Sequence, residues 1–147
     1  MDKTLNYLSI ARKAGLAELG EEPVAAAARA LHAQLVLVAS DASDHTWRRA
    51  KSMVAGTKQQ CLRLPYTKDE MGLAIGRTSL AIAAVTDPAL ALSLVPALEE
   101  NEKNEAVISA LQERVKHLRR RSAEEKAHQR NKRFGRAKAQ SLSQKNG

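Results

Sequence analysis

Apolar positions in the first third of the chain recur with helical spacing. Leu5, Leu8 and Ala11 lie three positions apart, which predicts a helix over residues 3–14 that ends at Gly15. A second helix is predicted to start near Pro23, because the N–H that proline lacks has no partner at the first helical position. The buried stripe predicted for this helix consists of Val24, Ala27, Ala28 and Leu31.

Three short apolar runs have the pattern of strands, and the first and the last of them have that of strands covered on both faces. Residues 35–39 form the clearest run, and residues 61–64 and 80–85 form two more. A helix start follows each run, marked by residues 40–44, by the Thr67–Glu70 capping box, and by Asp87 with Pro88. Strands that alternate with helices predict a sheet between two helical layers, an α/β/α sandwich.

The pattern changes after residue 98, so we interpret residues 1–98 as the folded domain and residues 99–147 as an extension. After Leu118 the only large apolar residues are Phe134 and Leu142, too few to form a core. Residues 104–121 are predicted to be helical, because four apolar residues share one stripe: Ile108, Leu111, Val115 and Leu118. From Ser122 onward we expect a solvated basic arm, so the extension is predicted to be part helical and part disordered.

Charge is distributed as unevenly as hydrophobicity. The 147 residues include 24 Lys and Arg against 16 Asp and Glu, a formal net charge of +8. Residues 1–98 carry +2, the glutamate-rich residues 99–113 carry −4, and residues 114–147 carry +10. Such a basic extension favours a nucleic acid or an anionic membrane as partner. Nucleic acid is the better match, because the basic half has almost no apolar face to enter a bilayer.

Patterns typical of membrane proteins, secreted proteins and enzymes are not found in the sequence. No apolar run approaches the roughly 20 residues of a spanning helix, and we expect no cleavable leader. Cys61 is the only cysteine, which rules out an internal disulfide and fits a cytoplasmic protein. The four histidines lack metal-ligand spacing, and Asp41, Asp44 and Asp87 are interpreted as helix caps. We therefore expect a non-enzymatic protein without a metal or other cofactor.

Five sequence blocks occur in a characteristic order: IARKAGL (10–16), LGEEPV (19–24), LVLVASDAS (35–43), PYTKDEMG (65–72) and AVTD (84–87). In this order they resemble the bacterial YlxQ-like branch of the ribosomal L-seven-Ae family. The resemblance implies a four-stranded mixed sheet in an α/β/α sandwich that binds kink-turns, which are sharply bent RNA helices with an internal loop. It also implies a structured ribosomal or other noncoding RNA as ligand, and the ribosome or a ribosomal subunit as partner.

The same resemblance assigns RNA-binding residues to three loops of the domain. Gly20 matches the family's glycine before the second helix, and Lys68 matches a lysine that contacts the RNA backbone. Trp47 lies where the family often has an aliphatic residue beside that face, and its own helical stripe also predicts core packing. The loop before the last strand contributes Arg77, Thr78, Ser79 and Leu80.

The second helix departs from the family pattern at its first turn. Where the family has an Asn-Glu pair followed by a lysine, this chain has Glu22, Pro23 and Ala26. Glu22 could still accept hydrogen bonds from a guanine edge. Glu21 and Glu22 together also favour the start of a helix, because acidic side chains are stabilised at its positive end.

Two functions are compatible with these residues. The first is an RNA-binding protein whose domain recognises RNA shape while basic residues of the extension contact phosphates. The candidates for those phosphate contacts are Arg119, Arg120, Arg121, Lys132, Arg133 and Arg136. The alternative is a protein–protein adaptor with a decayed RNA face, docking through the amphipathic helix at residues 108–118.

Overall fold

The computed structural model describes residues 2–145 of the chain, with side chains described for residues 2–130. The strands are β1 (Ala17–Leu19), β2 (Leu35–Val38), β3 (Gln60–Arg63) and β4 (Ile82–Val85). They form one mixed sheet in the order β1-β4-β2-β3. Both neighbours of β4 run antiparallel to it, and β2 and β3 are parallel, so β1, β2 and β3 all point in the same direction. The carboxyl ends of these three strands therefore lie together at one end of the sheet, which is here called the carboxyl edge.

Helices cover both faces of this sheet, which confirms the predicted α/β/α sandwich. The helices are α1 (Lys3–Lys13), α2 (Glu21–Arg29), α3 (Asp44–Val54), α4 (Lys68–Ala74), α5 (Pro88–Leu94) and α6 (Glu105–Lys145). On one face α2 and α3 pack against each other, and on the other α1 packs between α4 and α5. A short 3-10 turn (Pro96–Leu98) follows α5.

The core lies at the two central strands. Every residue of β2 and β4 is buried, because helices cover both faces of these strands. Burying one Val, Leu or Ile side chain contributes about 1.5–3 kcal/mol relative to leaving it exposed. The strand expected at residues 35–39 is thus present as β2, and its continuous apolar run reflects burial on both sides.

Two details of the first helices and strands differ from the sequence prediction. β1 is a strand the apolar pattern did not show, because only pairing with β4 defines it, for example Ala17 opposite Val85. Leu31 is not on the buried stripe of α2: its side chain is 57% exposed and its φ is +61°. This left-handed residue ends α2, and its N–H donates to the carbonyl of Ala28.

The chain after residue 98 is more helical than the apolar pattern predicts. Residues up to Arg114 form one compact unit, and the chain from Val115 forms a second. In the first unit, Leu111 is 1% exposed and belongs to the core, and Ile108 packs against it. Instead of changing to an irregular arm at Ser122, α6 continues to Lys145. Residues 122–130 are rich in Ala, Glu, Lys, Gln and Arg, which have high helix propensity, and their side chains are exposed.

Candidate nucleic-acid interface

Three helices begin at the carboxyl edge of the sheet. α2 follows β1, α3 follows β2, and α4 follows β3, so each helix directs its amino terminus toward this edge. The first N–H groups of a helix have no partner within the helix, and its dipole places partial positive charge there. Such an edge attracts an anion unless the protein's own side chains already satisfy these donors.

The amino terminus of α2 is the one among these three that lacks a side-chain cap. Its N-cap is Gly20, which has no side chain to accept a hydrogen bond from the first turn. Gly20 has a φ of +94°, a backbone conformation that favours glycine. Lack of space is not the reason for glycine here, because a Cβ would approach no closer than 3.9 Å to Pro23. Pro23 is the third residue of α2 instead of the first, and its missing N–H again costs no helical bond. The helix therefore starts, at Glu21 and Glu22, with backbone N–H groups that no N-cap side chain accepts from.

In contrast, α3 and α4 are capped by neighbouring oxygens. The Ser43 hydroxyl accepts from the N–H of Thr46 at 3.1 Å. In α4 the predicted capping box is present: the Thr67 hydroxyl accepts from the N–H of Glu70, and the Glu70 carboxylate accepts from the N–H of Thr67. Asp41 also accepts from the N–H of Lys68 at 2.8 Å, so this predicted cap serves α4 and not the helix that follows it in sequence.

The loop before β4 lies along α4 and is fixed by backbone contacts. The N–H of Arg77 donates to the carbonyl of Gly72, and the N–H of Leu80 donates to that of Lys68, both at 2.9 Å. A Cβ on Gly72 would lie 2.7 Å from the backbone of Ser79, so the loop packs as closely as it does only because residue 72 is glycine. The side chains of residues 77–79 are exposed.

Gly20, Lys68 and the loop of residues 77–79 lie at the same edge. The N–H of Gly20 donates to the carbonyl of Ile82, the first residue of β4, at 3.0 Å. The loop that leads into β4 is in turn bonded to Lys68 through Leu80. Lys68 is half-buried and Arg77 is exposed, so both can present charge to a ligand. Leu80 differs from its neighbours, because its side chain is 3% exposed and anchors the loop in the core.

The acidic residues at the start of α2 have different surroundings. Glu21 forms an ion pair with Arg49 of α3 at 2.8 Å, with both side chains partly exposed. Glu22 is exposed, as is Ala26 one turn later. The sequence reasoning did not find Arg49, because its pairing with Glu21 depends on the packing of α2 against α3. Arg49 leaves the α2 start less acidic than its sequence suggests.

Trp47 lies in the first turn and a half of α3 and packs partly against the core. Two cations stack on its indole ring: Lys51 Nζ is 5.5 Å from the ring centroid, and Arg63 Cζ is 4.9 Å from it. Distances of this size are typical of cation–π contacts. Neither cation was among the predicted site residues, although Lys51 follows Trp47 by one helical turn in the sequence.

The predicted phosphate contacts of the extension belong to the second unit. Arg119, Arg120 and Arg121 are exposed on α6. Lys132, Arg133 and Arg136 lie outside the residues whose side chains are described.

Three ionisable groups have displaced pKa values. Burial and a hydrogen bond to Asp2 raise the pKa of Tyr66 to about 12. The same hydrogen bond lowers the pKa of Asp2. Burial also raises the pKa of the Cys61 thiol to about 11, against the opposing effect of Lys51 and Arg63. A thiol with this pKa is protonated at neutral pH and is a poor nucleophile.

The described part of the chain contains neither a candidate metal site nor a candidate membrane span. Within it, no group of three or more His, Cys, Asp or Glu side chains is arranged to hold a metal ion. None of its helices is both long enough and apolar enough to cross a bilayer.

Comparison with known proteins relates the chain to a fold. No family model and no curated protein matches it. A protein of unknown function from Bacillus halodurans is similar in structure, with a TM-score of 0.63 and 25% identity over 68% of this chain and all of that one. The Giardia lamblia 15.5kD RNA binding protein has a TM-score of 0.56 and 17% identity, over 70% of this chain and 85% of that one. These likenesses support the L-seven-Ae-like fold that the sequence resemblance implied.

Proposed function

We propose that this chain is a non-enzymatic, cytoplasmic RNA-binding protein that recognises bent, kink-turn-like RNA at the carboxyl edge. The observation that carries the proposal is the placement of Gly20, Lys68 and the 77–79 loop at one edge, beside the uncapped start of α2. The RNA-binding neighbour from Giardia adds support at the level of the fold. Residues 1–98 form the RNA-binding domain, and the basic part of residues 99–147 contacts phosphates.

The chemistry of the edge matches an RNA ligand. Backbone N–H groups at a helix start bind phosphate or base acceptors. Lys68 and Arg77 supply charge, and Thr78 and Ser79 supply hydroxyls that donate to phosphate oxygens or to 2′-hydroxyls. Proteins read RNA most readily where bases are unstacked, as they are in the internal loop of a bent helix. The sequence blocks further favour the YlxQ-like branch and a ribosomal RNA or ribosomal subunit as the physiological partner.

Gel-shift titrations of the full chain test this proposal. The probes are a kink-turn RNA and a straight RNA duplex of equal length, each at several salt concentrations. We expect the kink-turn RNA to bind more tightly, with an affinity that falls as salt rises. Lys68→Gln and Arg77→Gln should each weaken binding and reduce the slope of log K against log salt by about 1. Lys58→Gln, which removes an exposed lysine at the opposite edge, is the matched control.

A second series separates the two parts of the chain. Replacing Arg119, Arg120 and Arg121 by Gln should lower the affinity for both RNAs by similar factors, because phosphate contacts carry no shape information. The preference for the kink-turn should remain. Equal and weak binding of both RNAs by the unaltered chain would refute the proposal.

The adaptor alternative has less support. It requires the apolar stripe of residues 108–118 to be available to a partner. Leu111 is instead buried in the chain's own core, and Ile108 packs against that core. A partner that docks there would have to displace part of the domain.

A further inference from the structure

A second cationic cluster lies at the β3 end of the carboxyl edge. It consists of Trp47 and Lys51 of α3 and Arg63, the last residue of β3. The indole contacts both cations, as described above, and Lys51 is exposed while Trp47 and Arg63 are half-buried. The predicted RNA site does not include either cation.

The guanidinium of Arg63 has donors that the protein does not satisfy. Its Nε and Nη2 atoms are buried and have no hydrogen-bond partner among the described residues. Burying hydrogen-bond donors of a charged group without acceptors is costly, and the penalty exceeds that of a neutral group. The ring of Trp47 offsets part of this cost through its π face, but it accepts no conventional hydrogen bond from these two nitrogens. The cluster therefore lacks an acceptor.

Charge around the cluster favours an anionic ligand. Among the described residues, neither Lys51 nor Arg63 forms an ion pair with a carboxylate. Both cations act on the neighbouring Cys61 thiol in the direction that favours its thiolate, as expected for a locally positive field. An anion with several acceptor oxygens, such as a phosphodiester, would neutralise this field, and it would accept from the two buried donors once the half-buried Arg63 side chain turns outward.

We infer that Trp47, Lys51 and Arg63 form a second phosphate subsite, which binds the sugar-phosphate backbone of the RNA held at the carboxyl edge. This inference rests on the proposed function. The α2 start follows β1 and Arg63 ends β3, so the two lie at opposite ends of the four-stranded sheet. Three strand spacings separate them, about 14 Å. The RNA thus extends along the edge from the uncapped helix start to the cluster.

Trp47 allows a direct test, because it is the only tryptophan in the chain. Its fluorescence should change on titration of the full chain with the kink-turn RNA, following the same binding curve as the gel shift. Lys51→Gln should reduce the salt slope by about 1, as expected for the loss of one phosphate contact. Arg63→Gln should have the same effect, and Arg63→Lys should restore part of the slope. Lys58→Gln should leave slope and fluorescence unchanged.

The variants distinguish a loss of RNA binding from a loss of folding stability. Lys51 is exposed, so its replacement should leave thermal unfolding within the narrow range of surface substitutions. The salt slopes of the Arg63 variants are interpreted only if their circular dichroism spectra and unfolding transitions match those of the parent. If they do not match, the salt slope of Lys51→Gln alone tests the subsite. Inorganic phosphate serves as a second probe.

The outcomes distinguish this inference from the proposed function. If the parent chain binds no RNA, the proposed function fails and the subsite fails with it. If RNA binds but Lys51→Gln keeps the parent slope and Trp47 emission stays constant, only the subsite is overturned. A fluorescence change with inorganic phosphate but none with RNA would also overturn it, because the cluster would then be a small-anion site.

Discussion

Replacing Gly72 by Ala tests how the loop before β4 is held. The new Cβ would lie 2.7 Å from both Cα and N of Ser79 and 2.9 Å from the carbonyl oxygen of Arg77. All three are backbone atoms, so no side-chain rotation relieves the contact and the loop has to move. Overpacking of this kind costs about 1–3 kcal/mol. Alanine recovers about 0.5–1 kcal/mol through its higher helix propensity.

We therefore expect Gly72→Ala to lower the free energy of unfolding by about 1 kcal/mol, which is the mid-range overpacking cost less the mid-range gain in helix propensity. Urea titration measures it as a lower midpoint at an unchanged m-value. The control is Leu73→Ala in the same helix, whose side chain is 79% exposed and should change stability by about 0.5 kcal/mol at most. Because the displaced loop contains Arg77 and Ser79, affinity for the kink-turn RNA should fall as well. A Gly72→Ala protein as stable as the parent would show that the loop is not packed against α4 as described.

Three further substitutions test the core. Gln59→Ala should lower the free energy of unfolding, measured by urea titration, by about 1–3 kcal/mol. The substitution leaves the N–H of Ala33 without its acceptor, the Gln59 side-chain oxygen at 2.9 Å, and removes the donor to the carbonyl of Ala28. Unchanged stability would contradict these two buried hydrogen bonds. Leu111→Ala should lower the free energy of unfolding by about 2–5 kcal/mol in the same titration, because its side chain is buried. Leu73→Ala should not have this effect, and an equal loss of stability in both variants would show that Leu111 is not part of the core. Raising pH should destabilise the protein between about pH 9 and 11, since folding raises the pKa of Cys61 from 9.0 to about 11 and the folded state retains a proton that the unfolded state loses. Cys61→Ala should make this loss of stability shallower, and native Cys61 should react slowly with a thiol reagent at pH 8.

Local patterns predicted the central elements of the fold. Residues 35–38 form β2 because an unbroken apolar run suits a strand covered on both faces. The Thr67–Glu70 pair starts α4 because both of its hydrogen bonds join residues three positions apart. In each case the interaction that decides the structure lies within a few residues of the pattern that indicates it.

Features that depend on distant residues could not be predicted in this way. β1 is a strand only because it pairs with β4, far along the chain. Asp41 caps α4 across a separation of 27 residues, although its sequence position indicates a cap for α3. For the candidate site, the resemblance located Gly20, Lys68 and Arg77. The stacking of Arg63 on Trp47 required knowledge of how α3 lies over β3.

The uncapped start of α2 has a genetic consequence. Its donors are main-chain amides of Glu21 and Glu22, and every amino acid except proline supplies the same amide. If these amides bind the RNA as proposed, replacing either glutamate would keep the main-chain donors, and only side-chain contacts such as the Glu21–Arg49 ion pair would be lost. Removing these donors would require proline at position 21 or 22, or a different backbone path at Gly20.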